Sequence, residues 1–431
     1  MFPGTILMGA QARLLPPSIP FRFFYVACFF HIVFWALVLV SANEVAGFRG
    51  GTGPALAALH ALTLGVFAMT AMGASFQLLT VATGVALRAV WPCHLAWWFF
   101  FPGVLVLLTG FAIHHHYTQA AGAFAAIIGL VIYALTVADV LLRTKSLKLA
   151  VSHAWVALAA LIGLLGFGFA LIVDFDHGFL NDHAAIGLTH FILAVFGFMG
   201  MLALGFSTIL VPMFALSPAV PDKAGWFSFV FVVLALAASA YGAAERNEMA
   251  LYGGLAAGLV GVGLHLWCML LSLKKGMRKR LGISFVMVKA AWVMLPVVLL
   301  VGLAVMTDWV SVTLFGFLAL VGWMLTFLLG ILQRIIPFLA SMNMNRKGSK
   351  PPTLSEMANE RLLKVTLVCH AVAVVLGGLG IVQDQGNFVF AGAISGIIGA
   401  VAFLWYAVAV GTTYLSYHNE SDRTALETTD L

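Results

Sequence analysis

The sequence predicts an all-α polytopic membrane protein: twelve transmembrane helices in three pseudo-repeated four-helix units, with N- and C-termini cytoplasmic. Three observations carry this: the composition, the recurrence of apolar runs, and the one-sided placement of cations. Of 431 residues, 62% are hydrophobic and only 9% are charged, whereas a soluble domain carries roughly 25% charged residues. The mean hydropathy is +1.06. Apolar runs recur from Phe21 almost to the C-terminus, each long enough to cross a bilayer as a helix of about 20 residues.

Polar, Gly and Pro punctuation divides these runs into twelve spans, at 21–42, 55–81, 89–112, 119–142, 149–173, 184–215, 226–243, 249–273, 283–305, 310–339, 362–382 and 387–416. The chain then reads as a cytoplasmic N-terminal segment (1–20), a membrane domain (21–417) and a cytoplasmic tail (418–431). Arg13 and Arg22 lead into a full-length span rather than a short apolar region with a cleavage site, so no cleavable signal is expected. With the N-terminus inside, nineteen of the 22 lysines and arginines fall in inner segments, Arg346, Lys347, Lys350 and Arg423 among them. Only Arg49 and Arg246 fall in outer loops, and Lys289 lies inside span 9. This bias orients the protein in a bacterial-type inner membrane. The lipid bilayer is therefore the expected partner, and the basic balance does not point to nucleic acid. An intramembrane Lys289 calls for a partner, a polar cavity or snorkelling to the interface. All four cysteines (Cys28, Cys93, Cys268, Cys369) lie in or beside spans, so free thiols are expected rather than disulfides.

Span 2 reads LHALTLGVFAMTAMGASFQLLT, span 6 LTHFILAVFGFMGMLALGFSTILVPMF, and span 10 FGFLALVGWMLTFLLGILQRIIP. Their glycines align as Gly65/Gly73, Gly197/Gly205 and Gly322/Gly330, each pair separated by seven residues. Thr80, Pro212 and Pro337 follow seven positions later. Small residues at such spacings let helices pack closely in lipid. Three copies at every fourth span go further and indicate a threefold repeat. Other spans echo the period: His31, His153 and Lys289 each lie near a Trp in spans 1, 5 and 9, and a Cys-His pair opens spans 3 and 11.

This pattern resembles subunit I of the haem–copper oxidase superfamily: twelve spans, both ends inside, and a histidine near the outer end of spans 2 and 6 followed by glycines and an LLT or LVP ending. Within it the chain looks like the divergent relatives and resembles the NnrS family of nitric-oxide-response membrane proteins, which carry haem and copper. The resemblance implies haem b, with copper as a further metal, a role in redox, nitric oxide or respiratory chemistry, and a redox partner or respiratory complex. It also implies a ligand role for His60, because the second span of the oxidases supplies a haem ligand. The sequence departs from the pattern as well. Span 7 (GWFSFVFVVLALAASAYG) and span 10 contain no histidine, so the usual oxygen-reducing binuclear centre is not expected. Acidic and lysine residues of proton channels are not recognisable, which argues against a typical proton-pumping oxidase. The NnrS-type Trp-His-x-His-Glu-Met stretch is absent, and ALHALT around His60 comes nearest.

The thirteen histidines carry most of the remaining chemistry, since neutral imidazole ligates haem iron and copper. His60 and His190 are the leading pair. Both lie one to two turns inside the outer face, at similar depths in equivalent units, where they would flank a haem as axial ligands or serve as structural histidines. His31 and His370 are the second pair, brought together if the units close across the chain ends. The outer loops HHHY (His114, His115, His116) and DFDHGFLNDH (His177, His183, with Asp174, Asp176 and Asp182) hold metal-binding side chains. They match no standard zinc spacing and read first as solvated loops. His183, two turns before His190 on one helix face, is a candidate second metal ligand or propionate partner. His94, His153, His265 and His418 are expected as interfacial anchors. Two other function classes remain open: a secondary transporter of a metal ion or small anion, with Asp139 and Lys289 as coupling groups, and a metal-free assembly subunit.

Overall fold

The computed structural model describes residues 13–344 and 352–429, without the side chains of Ser355 and residues 418–429. The first twelve residues of the N-terminal segment, Arg346, Lys347 and Lys350, and the side chains of His418 and Arg423 lie outside the described residues. The described chain is helical, and twelve of its helices are long and apolar enough to cross a membrane. They are α1 (Ser18–Val40), α2 (Pro54–Thr83), α3 (Trp91–Ala112), α4 (His116–Arg143), α5 (Lys148–His177), α6 (His183–Ala215), α7 (Asp222–Ala244), α8 (Glu248–Lys275), α9 (Gly282–Met306), α10 (Val312–Met344), α11 (Glu360–Val382) and α12 (Gly386–Tyr417). Expected and observed limits agree within a few residues, except that α10 continues past Pro337 to Met344. Pro337 lies inside that helix, as Pro212 does in α6. Buried helices tolerate this because neighbouring helices shield the freed carbonyls from lipid.

α2, α6 and α10 form the interior. In their most apolar stretches 72%, 67% and 78% of residues are buried, against at most 50% in any other helix. Each contains an eight-residue π-helical stretch: Ala61–Ala68, Leu193–Gly200 and Leu318–Leu325. Each stretch begins four residues before the first glycine of the motif, at Gly65, Gly197 or Gly322. The three stretches meet one another at the centre of the bundle. Such stretches locally widen a helix and collect at functional sites.

The motif glycines mark where the interior helices receive their neighbours. Gly65 faces Phe30 of α1, Gly197 faces Ala160 of α5, and Gly322 faces Met294 of α9. Gly73, Gly205 and Gly330 face Phe23, His153 and Met287. The partners are spaced by seven residues each time, so one register recurs in three helix pairs. It also corrects the grouping of His31, His153 and Lys289. His153 occupies the place of Phe23 and Met287, whereas His31 follows Phe30 and Lys289 lies two residues past Met287.

The remaining helices surround this core. α3 with α4, α7 with α8, and α11 with α12 form the most extensive antiparallel pairs, and α12 packs on α1 to bring the chain ends together. Their glycines allow backbone approach: a Cβ at Gly122 would collide with the Leu107 backbone, and one at Gly254 with Ser239. Gly122→Val is therefore expected to lower stability by about 1–3 kcal/mol, the usual cost of overpacking. Thermal unfolding in detergent would read this, and an unchanged midpoint would refute the close packing. Lys289 is exposed on α9, which fits snorkelling. Asp139 is held by Arg88 at 2.9 Å and by its neighbour Arg143. The four cysteines are free.

Candidate functional site

A cavity of about 880 Å³ enters the bundle at the end opposite the chain termini and reaches the π-helical stretches at its centre. Its walls are mainly Leu, Phe, Ala and Val from α2, α4, α5, α6 and α10. This size suits a cofactor, since such sites run to about 300–1,000 Å³. His60 and His190 both line it.

Each of these imidazoles is oriented by a backbone carbonyl. His60 Nδ1 donates to Leu56 O on its own helix at 3.0 Å, and the ring leans on Phe111 with centroids 4.8 Å apart. His190 Nδ1 donates to Leu164 O of α5, also at 3.0 Å. One turn along α5, Gly168 leaves room for the His190 ring, and a Cβ there would lie 2.8 Å from its Cε1. A carbonyl only accepts, so both rings carry their proton on Nδ1 and a lone pair on Nε2. Among the described residues no hydrogen bond reaches either Nε2. The two rings lie within electrostatic reach of each other.

The cavity mouth is polar. His183 lines it and donates Nδ1–H to Asp174 Oδ2 at 2.7 Å, while Leu180 N donates to Asp174 Oδ1 at 2.6 Å. Asp182 caps α6 by accepting from Ala185 N at 3.0 Å, and both of its oxygens take the Arg246 guanidinium, Nη2 to Oδ1 at 2.8 Å. Arg246 and then the Ala185 amide hold the Asp182 carboxyl well below the usual carboxylate range, and Asp182 raises Arg246 in return. A depressed carboxyl contributes stability above its unfolded value, near 3.9, and loses it as pH falls through the folded value. Asp182→Asn is accordingly expected to speed amide exchange over the first turn of α6 at neutral pH. That difference should shrink in strong acid, and equal rates at pH 7 would show that the pair does not anchor α6.

Of the other loop histidines, His116 and His177 lie against the same carboxylate, with His116 Nε2 4.0 Å from Asp176 Oδ1 and His177 Nδ1 3.6 Å from Asp176 Oδ2. His114 meets Thr52 Oγ1 at 2.9 Å, and His115 caps α4 by accepting from Thr118 N at 3.3 Å. His116 packs on Tyr117 with ring centroids 4.1 Å apart, and His177 Nδ1 donates to Val173 O at 3.2 Å. Among the described residues no three His, Cys, Asp or Glu side chains form a metal-binding group.

His31 and His370 are brought together, buried and within electrostatic reach. His31 Nε2 accepts from Trp35 Nε1 at 3.1 Å, and His370 Nε2 lies 2.7 Å from Thr326 Oγ1. His153 and His265 depart from their expected interfacial place. They are only 2% and 4% exposed, and neither Nε2 has a partner. The sequence signal for His153 was its register opposite Gly205, which distance from the span end obscures. No protein-family model matches this chain, and no curated protein matches it.

Proposed function

We propose that this chain is a haem-b-binding, oxidase-like protein of redox or nitric oxide chemistry in a bacterial-type inner membrane. In this reading both termini are cytoplasmic, the cavity mouth faces outward, and His60 and His190 would hold the haem iron. One observation carries it: two imidazole lone pairs share one apolar cavity, each ring fixed through Nδ1 by a carbonyl. This is the usual way a protein orients a metal-ligating histidine. The aliphatic and aromatic walls suit a flat macrocycle, and Arg49 and Arg246 at the mouth suit its carboxylates. When bound, haem would supply one-electron redox chemistry, and two histidines holding it would favour electron transfer over diatomic-gas binding.

The resemblance to haem–copper oxidase subunit I and the NnrS family belongs to the same proposal. The recurring glycine register and the three π-helical stretches support a threefold repeat of four helices. The charge bias supports the orientation. The visible spectrum of protein purified after expression with adequate haem tests the reading. A Soret band with a low-spin, two-histidine signature is expected. A colourless protein would overturn the reading in favour of a metal-free subunit.

A further inference from the structure

The turn between α8 and α9, together with Lys289, supports an inference independent of haem. The turn reads KKGMRKR from Lys274 to Arg280 and lies at the end of the bundle that carries the chain termini. All five of its cations are exposed. Between Glu248 and Asp308 the chain contains no acidic residue. Among the described residues none of the five makes an ion pair. Hydrogen bonds hold the turn in place. Gly276 N donates to Ser272 O at 2.9 Å, Met277 N to Leu216 O at 3.3 Å and Arg278 N to Ala215 O at 3.1 Å, which pairs the turn with the end of α6. A Cβ at Gly276 would lie 2.6 Å from Ala215 O, so glycine permits that approach. Lys279 Nζ donates to Lys274 O at 2.9 Å. Arg334 of α10 holds the far side through Leu281 O and through Ser284 Oγ, the latter at 2.7 Å. The unpaired cations are therefore displayed from a fixed base.

α9 carries the cation that topology does not explain. Lys289 is exposed about two turns (~10 Å) inside the helix start at Gly282. Among the described residues its ammonium has no ion-pair partner. It stands in a stripe of exposed apolar side chains, Val286, Val293, Val297 and Leu300, whose spacing puts them on one helix face with Gly282. In the turn itself, Met277 is 74% exposed between the cations. A methionine so placed suits the boundary between headgroups and acyl chains. Charges that only orient a protein belong in the loops, whereas a cation within a span is costly without a partner. A soluble anion or an acidic protein reaches the turn but not the depth of Lys289. A lipid reaches both.

We propose that the α8–α9 turn and Lys289 bind the headgroup of one anionic phospholipid. The phosphate is held between the Lys289 ammonium, snorkelling toward the turn, and the Arg278 and Arg280 guanidinium groups, whose planar forks match phosphate oxygens. The acyl chains lie along Val293, Val297 and Leu300. Clusters of Lys and Arg beside the end of a span are a recurrent way to recognise anionic lipid. Here Lys289 makes the site read a lipid rather than a free anion, because it extends the positive charge into the lipid-exposed face of α9.

Native mass spectrometry of the full-length, delipidated protein in neutral detergent tests this, with phosphatidylglycerol or phosphatidylcholine added. One phosphatidylglycerol is expected to bind roughly tenfold tighter than phosphatidylcholine, or more, given the usual worth of a few cations beside an anionic lipid. Lys289→Gln and the double variant Arg278→Gln/Arg280→Gln are expected to weaken binding by roughly fivefold per charge removed. Lys289→Arg should restore it, and circular dichroism would establish that each variant is folded. Lys145→Gln removes an exposed cation from the α4–α5 turn and should keep wild-type binding, which separates a site from diffuse attraction. Equal binding of the two lipids, wild-type affinity in Lys289→Gln, an equal loss in Lys145→Gln, or displacement of the lipid by inorganic phosphate would each overturn the proposal.

Discussion

His190→Ala is expected to abolish the low-spin haem spectrum, and Gly168→Ala to weaken haem binding by roughly 10–100-fold, the usual loss when a ligand's orienting partner is disturbed. The two variants separate ligation from orientation. Alanine at 190 removes the lone pair itself. Alanine at 168 keeps the imidazole but places a methyl group 2.8 Å from ring Cε1, so the ring must turn and strain its bond to Leu164 O. Haem titration of the apo-protein reads the affinity, and electron paramagnetic resonance reads the change at the iron when the His190 ring turns. His60→Ala should match His190→Ala, since its Nε2 faces the same cavity. His94→Ala, whose ring meets Arg22 at 3.0 Å far from the cavity, should change neither readout. A wild-type spectrum in His190→Ala would remove that residue from the proposed site, whatever holds the haem.

Much of the fold was legible because hydropathy and helix length are coupled in a bilayer, where the backbone must satisfy its own hydrogen bonds. The twelve spans and the importance of Gly65, Gly197 and Gly322 could therefore be read directly. The π-helical stretches beginning four residues before those glycines could not, because an inserted residue leaves no change in composition. His60 and His190 were legible as polar residues at similar depth in related helices. Their tautomers depend on Leu56 and Leu164 carbonyls, and the second lies on another helix. The five loop histidines lie in two segments of the sequence, but their partners could not be read from it: His114 meets Thr52 of the preceding loop, and His116 and His183 meet Asp176 and Asp174 at the end of α5. His153 and His265 were placed by distance from the span ends, which carries no information about which helix face is buried.

The π-helical stretch of α6 lies between His190 and the helix's inner half, so its extra residue sets the direction in which His190 points. Deleting Ala194 is expected to return Leu193–Gly200 to α-helical pitch. One residue fewer turns the preceding segment by about 100° and shifts it about 1.5 Å relative to the inner half. That segment is anchored at the mouth by Asp182 to Arg246 and by His183 to Asp174. Either His190 swings off the cavity wall or these anchors break, and haem retention is lost in both cases. The corresponding deletion of Ala319 in α10 turns a segment bearing Phe315 and Phe317, with no histidine, and should leave the low-spin spectrum in place. Far-UV circular dichroism and thermal unfolding would establish that both deletion variants remain folded. A folded Ala194 deletion that keeps the wild-type spectrum would show that the π-helical stretch does not aim His190.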